Sequence, residues 1–430
     1  MIVKNAKLRG KDFLHTIKTD DNGMIESIIS QAGDADSAAP LRAGEVCIDA
    51  GGSLVIPPFV DPHVHLDAVL SAAALTRPNL SGTLIEAIDI WNEWKEGLTE
   101  EILLENARKV IKWYIANGVL YVRTHADCTD PGLLTVQSLV KLRDEMKDYV
   151  EIQITAFPQN GIFTKKNGSD LMKEAISLGA DVVGGAPHIE YTREDGVQEI
   201  EYIYDLAERN GLLIDVHCDE TGDPASRFSE VMARESIHRG MHGLATASHT
   251  TAMHNYNNDY AYKLINLLAA AEMNMIVNPF DNAVLQNRLD GYPRKRGITR
   301  VDEMVKAGIN VCIGHDSIMD PWYSLGKGSM TAAANLLAHL GHMNGGAQMP
   351  ILIDMVTVNS ARTMCIENQY GIEIEKPATF IILDSKDETE TIRLLPECLF
   401  VIKNGKVIAE TEPARRRVTC HDTELVDFKH

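Results

Sequence analysis

One cadence recurs along the middle of this sequence and constrains it more than any other feature: an amphipathic segment, a glycine, a short apolar run, then a polar residue. Leu103, Ala107, Val110, Ile111 and Tyr114 share one helical face, Gly118 follows as a C-cap, and "VLYVRTHAD" runs on as a strand through His125. The unit returns in "AISLGADVVGGAPH" to His188, in "AERNGLLIDVHCDE" to His217 and in "HRGMHGLATASH" to His249. It returns again in "AAAEMNMIVNP" to Asn278 and "VKAGINVCIGHD" to Asp316. With "SLVIPPFVDPHVHLD" and "VEIQITAFPQ" the count reaches eight strands. Near-continuous apolar strands alternating with helices indicate a parallel sheet covered on both faces. Eight such units predict an α/β fold of the (β/α)8 TIM-barrel type, with its chemistry at the C-terminal strand ends. A doubly wound open sheet is the alternative, but no G-x-G-x-x-G follows the first strand and no P-loop is present.

The flanks read differently. Residues 1–56 and 366–430 hold short strand-like pieces such as "ATFIILD" and "CLFVIKNGKVIAET", the latter with an Asn-Gly turn signal. They are predicted to build one small β-sandwich-like domain from both chain ends, around a barrel spanning 57–365. The final "EPARRRVTCHDTELVDFKH" reads as a polar tail or an edge strand.

Composition narrows the partners. A formal charge of -20 disfavours nucleic acid polymers and anionic membranes, because neither offers counter-charge to an acidic surface. The expected ligand is a neutral or cationic small molecule. No run approaches the roughly 18 apolar residues of a membrane span. Seven cysteines without C-x-x-C spacing suit reduced thiols and a cytoplasmic setting.

The polar strand ends carry the chemistry. His63 and His65 in "FVDPHVHLD" are two residues apart, so on a strand both face one side while Val64 faces the other. Two imidazoles at a strand end suit a metal better than a core. His217 adds a third candidate ligand and Asp316 a fourth, and His249 ends strand six. Any one of them alone reads as a satisfied core group or a helix cap. Five coming together at one barrel mouth read as a site.

These residues resemble the ligand pattern of the amidohydrolase superfamily of metal-dependent hydrolases. More widely, "VIPPFVDPHVHLD", "NGVLYVRTHAD", "AFPQNGI", "DVHCDE", "ASHTTAMH", "RGITRVDEMVKAGINVCIGHD" and "DPWY" resemble bacterial-type cytosine deaminases over nearly the whole chain. Strand four, "DVVGGAPHIEY", lacks the lysine of two-metal relatives, which points to one divalent ion per chain, Zn(II) or Fe(II). The "HIE" at His188 resembles the H-x-E of another zinc deaminase class, but no P-C-x-x-C follows it.

The resemblance implies roles. Asp316 ligates the metal and takes a proton from the attacking water, which His249 orients. Glu220 shuttles a proton to the pyrimidine N3 and then to the departing amine. Gln159 pairs with the amide edge of the base, and Leu84 and Trp322 close the apolar walls. The implied reaction is hydrolytic deamination of a free nucleobase, cytosine or 5-methylcytosine, and the implied assembly is a homo-oligomer. Two other readings stay open: a sister hydrolase acting on isocytosine, creatinine or a purine-type base, and an inactive barrel with a binding role. One departure is informative. The family usually reads "GHDD" where this chain reads "GHDS", so Ser317 replaces an aspartate. Placed at the C5–C6 edge of the ring, a small uncharged residue is expected to favour a methyl at C5.

Overall fold

The computed structural model describes residues 1–31 and 46–429. Eight parallel strands form the barrel: β1 (Phe59–Val64), β2 (Val119–Asp127), β3 (Glu151–Phe157), β4 (Val182–Gly185), β5 (Leu213–Cys218), β6 (Ala245–His249), β7 (Asn274–Val277) and β8 (Asn310–Ile313). They pair in sequence order. Closure comes just past β8, where Val64 and Asp316 form a parallel bridge. There the Asp316 amide donates to the His63 carbonyl at 2.8 Å, and the His65 amide donates to the Asp316 carbonyl at 3.1 Å. The ring of strands is thus sealed by residues singled out for chemistry.

The helix before β2 shows how one unit forms. Thr99 caps Glu100–Ala116 by accepting from the Ile102 amide, and Glu100 and Glu101 sit at the positive end of its dipole. Leu103, Ala107, Val110, Ile111 and Tyr114 are all buried against the barrel, as their spacing predicts. Gly118 then turns at φ 78°, and a Cβ there would meet Cys398 Sγ at 2.7 Å. Only glycine lets the barrel approach its neighbouring sheet so closely.

That sheet has eight strands from both chain ends. In order from one edge they are Lys406–Glu410, Cys398–Lys403, Phe380–Leu383, Leu54–Ile56, Ile2–Leu8, Leu14–Thr19 and Ile25–Ser30, with Cys47–Asp49 also paired to Ile2–Leu8. It buries its own apolar cluster, including Val3, Ile17, Val55, Phe380 and Ile402. The Asn-Gly signal is a hairpin turn with φ 49° at Asn404 and 72° at Gly405, the doubly left-handed turn that matches strand twist. The C-terminal stretch differs from expectation. Arg416–Thr419 pairs antiparallel with Thr423–Val426 in a separate hairpin, neither a tail nor an edge strand of the sheet.

Candidate metal centre and active site

The alternation on β1 begins one step earlier than the two histidines. Asp61, His63 and His65 form a polar stripe on a strand whose residues are all buried. Asp61 knots the strand end: it accepts from the His63 amide at 3.2 Å, the His315 amide at 3.1 Å and the Tyr114 hydroxyl at 2.5 Å. Burial pushes its carboxyl up to about 7, and these donors oppose the shift. Gly314 is required beside it, since a Cβ there would meet Asn278 Oδ1 at 2.3 Å and His63 Cβ at 2.8 Å.

Side chains from four strand ends converge above this knot. The Nε2 atoms of His65 and His217 are 3.1 Å apart, and the Nε2 atoms of His63 and His65 each lie 3.4 Å from Asp316 Oδ1. His63, His217, His249 and Asp316 each offer a ligand atom within 4.8 Å of one another. Two of the charge states, those of His217 and Asp316, suit a cation. Burial, reinforced by the neighbouring imidazoles, holds His217 well below its usual range and therefore neutral. Burial opposes ionisation of Asp316, but His249 and His63 outweigh it and hold the carboxylate well below the usual range. For His65 burial is again opposed by Asp316, and the net shift is upward. His63 Nε2 is buried without a hydrogen-bond partner. Facing imidazole lone pairs beside a carboxylate are a donor set that one divalent ion satisfies.

The orientation of His63 is set from behind. Ser248 Oγ donates to Asp215 Oδ1 at 2.6 Å, so toward His63 Nδ1, 3.0 Å away, it is the acceptor. The proton of His63 therefore sits on Nδ1, and Nε2 presents a lone pair to the centre. Asp215 is in turn held by the Arg123 guanidinium at 3.1 Å, and Arg123 donates to the Thr363 carbonyl at 2.8 Å. His249 is fixed similarly, with Asn282 Nδ2 2.9 Å from its Nδ1 and Asn278 Nδ2 3.2 Å from its Nε2. His249 and Asp316 have φ of 68° and 70°, a left-handed backbone that is costly for side chains with a Cβ and clusters at functional sites.

A small chamber faces this cluster, lined by His65, Leu84, Gln159, His217, Glu220, His249, Asp281, Leu285, Asp316, Ser317 and Trp322. Of the ten residues singled out in the sequence, only His63 lies behind its wall rather than on it. Glu220 is buried, with Oε1 3.3 Å from Gln286 Nε2 and 3.6 Å from His249 Nδ1. Burial, followed by repulsion from Asp316, pushes its carboxyl well above the ordinary range, so it enters the chamber as an acid. Trp322 stacks toward His65 with ring centroids 6.0 Å apart. The chamber shares Leu84, Glu220 and Leu285 with a cleft of about 610 Å³ that leads outward.

Five groups escaped sequence reading. Asp61 was legible as the residue two before the H-x-H. Ser248, Asp215 and Arg123 were not, because a relay between three strands leaves no local pattern. Asp281 sits in "NPFDN", where an aspartate two residues after a proline reads as an ordinary first-turn helix residue, yet it lines the chamber. Its presence changes the reading of Ser317: that wall has not lost its carboxyl character, since Asp281 and Asp320 flank the serine. His188 belongs to a short 3-10 turn, its Nδ1 3.1 Å from the His217 carbonyl and its Nε2 4.0 Å from Glu220 Oε2, so it buttresses the site. His125 is buried with neither ring nitrogen bonded, its ring centroid 4.1 Å from that of His63.

Comparison with known proteins agrees with this geometry. The structure is similar to that of 5-methylcytosine deaminase from Klebsiella pneumoniae, solved with 5-fluorocytosine, at 45% identity and TM-score 0.93, covering 97% of this chain and 99% of that one. The same enzyme has been solved with phosphonocytosine. The N-isopropylammelide isopropyl amidohydrolase of Pseudomonas sp. strain ADP is 26% identical over 96% of this chain and 98% of its own. The pterin deaminase of Rhizobium rhizogenes is 26% identical over 92% of this chain and 88% of its own. The sequence model of the amidohydrolase family matches residues 46–409, and the chain belongs to that family.

Proposed function

We propose that the chain is a metal-dependent aminohydrolase that deaminates a free pyrimidine base, 5-methylcytosine to thymine and cytosine to uracil, with release of ammonia. The observation that carries this reading is the meeting of Glu220, His249 and Asp316 in one buried chamber, with Gln159 on its wall. Identity of 45% to a 5-methylcytosine deaminase over nearly the full length supports the choice of substrate. His63, His65, His217 and Asp316 would hold one divalent ion, Zn(II) or Fe(II), the choice a three-imidazole, one-carboxylate set allows. When bound, the ion lowers the pKa of a water so that hydroxide is available near neutral pH.

The protein's own groups then divide the work. The Asp316 carboxylate accepts the proton of the attacking water. His249, held by Asn278 and Asn282, orients that water. Glu220 enters protonated, delivers its proton to N3 as C4 becomes tetrahedral, and relays a proton to the amine as the C4–N bond breaks. Gln159 offers a donor and an acceptor to the amide edge of the ring. Trp322 and Leu84 exclude water from its faces. An ammonia-release assay over cytosine, 5-methylcytosine, isocytosine, creatinine and pterin tests the assignment. Turnover confined to the last three would overturn it.

A further inference from the structure

One carboxyl on the chamber wall has no task in this chemistry. Asp281 lies in the first turn of the helix Pro279–Leu285, directly after β7. It is 1% exposed, it lines the chamber beside Ser317, and its Oδ1 has no hydrogen-bond partner. Its neighbours Asn278 and Asn282 both engage His249, which anchors this segment against the site. Asp320, on the other side of Ser317, is held by the Trp322 and Tyr323 amides at 3.0 Å and faces an adjoining cleft instead. Asp281 therefore brings a carboxyl oxygen without a hydrogen-bond partner to the chamber wall, and a buried polar atom of this kind is costly to leave unpaired.

The orientation of the ring decides which ligand atom arrives there. With C4 at Asp316 and N3 at Glu220, the C5 edge lies on the opposite flank of C4. Ser317 follows Asp316 in the chain, and Asp281 stands beside Ser317 on the chamber wall. A methyl at C5 gives these two groups nothing to bond. A hydroxymethyl does: its O–H donates to Asp281 Oδ1, and its oxygen can accept from the Ser317 hydroxyl.

We propose that the chamber accepts cytosines carrying a hydrogen-bonding substituent at C5, that 5-hydroxymethylcytosine is a substrate, and that Asp281 is the residue determining this preference. The proposal rests on the pyrimidine-deaminase reading above. One water is consumed: the C4–O bond forms, the C4–N bond breaks, ammonia leaves, and 5-hydroxymethyluracil is the product with its side group unchanged.

The test measures kcat/KM of the metal-loaded full chain for cytosine, 5-methylcytosine and 5-hydroxymethylcytosine, for the parent, Asp281→Asn and Asp281→Leu. Calorimetric affinities for thymine and 5-hydroxymethyluracil accompany it. In the parent, 5-hydroxymethylcytosine is expected within about tenfold of 5-methylcytosine, a site that can hydrogen-bond the hydroxyl being able to accept it. Asp281→Leu is expected to lower the hydroxymethyl-to-methyl ratio by about tenfold or more, while Asp281→Asn, which keeps an acceptor oxygen, holds the ratio within a few-fold. A parent that deaminates 5-methylcytosine but handles the hydroxymethyl base more than tenfold worse overturns the proposal, as does an unchanged ratio in Asp281→Leu. Should Asp281→Leu fail to fold or load metal, the product affinities decide, and 5-hydroxymethyluracil bound about tenfold more weakly than thymine by the parent overturns it. A parent that releases ammonia from none of the three bases defeats the pyrimidine reading itself, and the assignment of Asp281 falls with it.

Discussion

Asp316 and His63 are joined twice. The Asp316 amide donates to the His63 carbonyl at 2.8 Å, and the Asp316 carboxylate lies 3.4 Å from His63 Nε2. Barrel closure and the placement of these two proposed ligands are therefore one event. A strand pair that slipped by a residue would turn both side chains out of the mouth, because side chains alternate with period two.

Removal of a single ligand should be read in metal content first. His65→Ala is expected to lower bound divalent metal below one per chain and to abolish turnover, measured by elemental analysis beside the ammonia assay. Full metal with full activity would exclude His65 from the centre. Chelation of the parent is expected to lower the thermal midpoint, since an ion bound only to the folded state stabilises it by mass action.

Glu220→Gln preserves shape and removes the transferable proton. We expect metal content and thermal midpoint to stay at parental values while kcat falls at least about 10²-fold. A variant within a few-fold of the parent would remove Glu220 from the proton path.

The relay behind His63 should matter although it never touches substrate. Ser248→Ala leaves His63 Nδ1 without its acceptor and Asp215 Oδ1 without its donor, while Arg123 still holds Oδ2. Partners of this kind are worth about 10–100-fold in metal affinity. Competition with a calibrated chelator reads that loss directly, and an unchanged affinity would make the relay purely structural.

Ser317→Asp would set a third carboxyl between Asp281 and Asp320, two groups that burial already pushes upward, Asp320 to about 7. Crowding and repulsion at the C5 edge should harm 5-methylcytosine more than cytosine. Paired kcat/KM values test this, and an equal loss on both substrates would separate Ser317 from specificity.

Tyr114→Phe removes the hydroxyl that donates to the buried Asp61 carboxyl at 2.5 Å. Loss of a partner to a buried acceptor costs about 1–3 kcal/mol, to be read as a shift of the denaturation midpoint at constant slope. No shift would show that Asp61 is satisfied by the backbone amides alone.

The eight strands, and the polar residues that end them, were legible before any fold was known. Each strand is a continuous apolar run that only a doubly covered parallel sheet can bury, so a polar residue at its end, such as His217 or Asp316, stands out against its context. Period-two alternation likewise put His63 and His65 on one side without any tertiary information. What stands behind and beside them depends on contacts between strands. Ser248, Asp215 and Arg123 meet because closure of the barrel brings β6, β5 and β2 into contact around His63, and no spacing within one strand encodes a contact between three. Asp281 was silent for the same reason: a lone aspartate in a helix's first turn reads as a favourable dipole partner. Only the fold of β7 against β8 turns it toward Ser317 and the chamber, where burial makes its free oxygen a binding group.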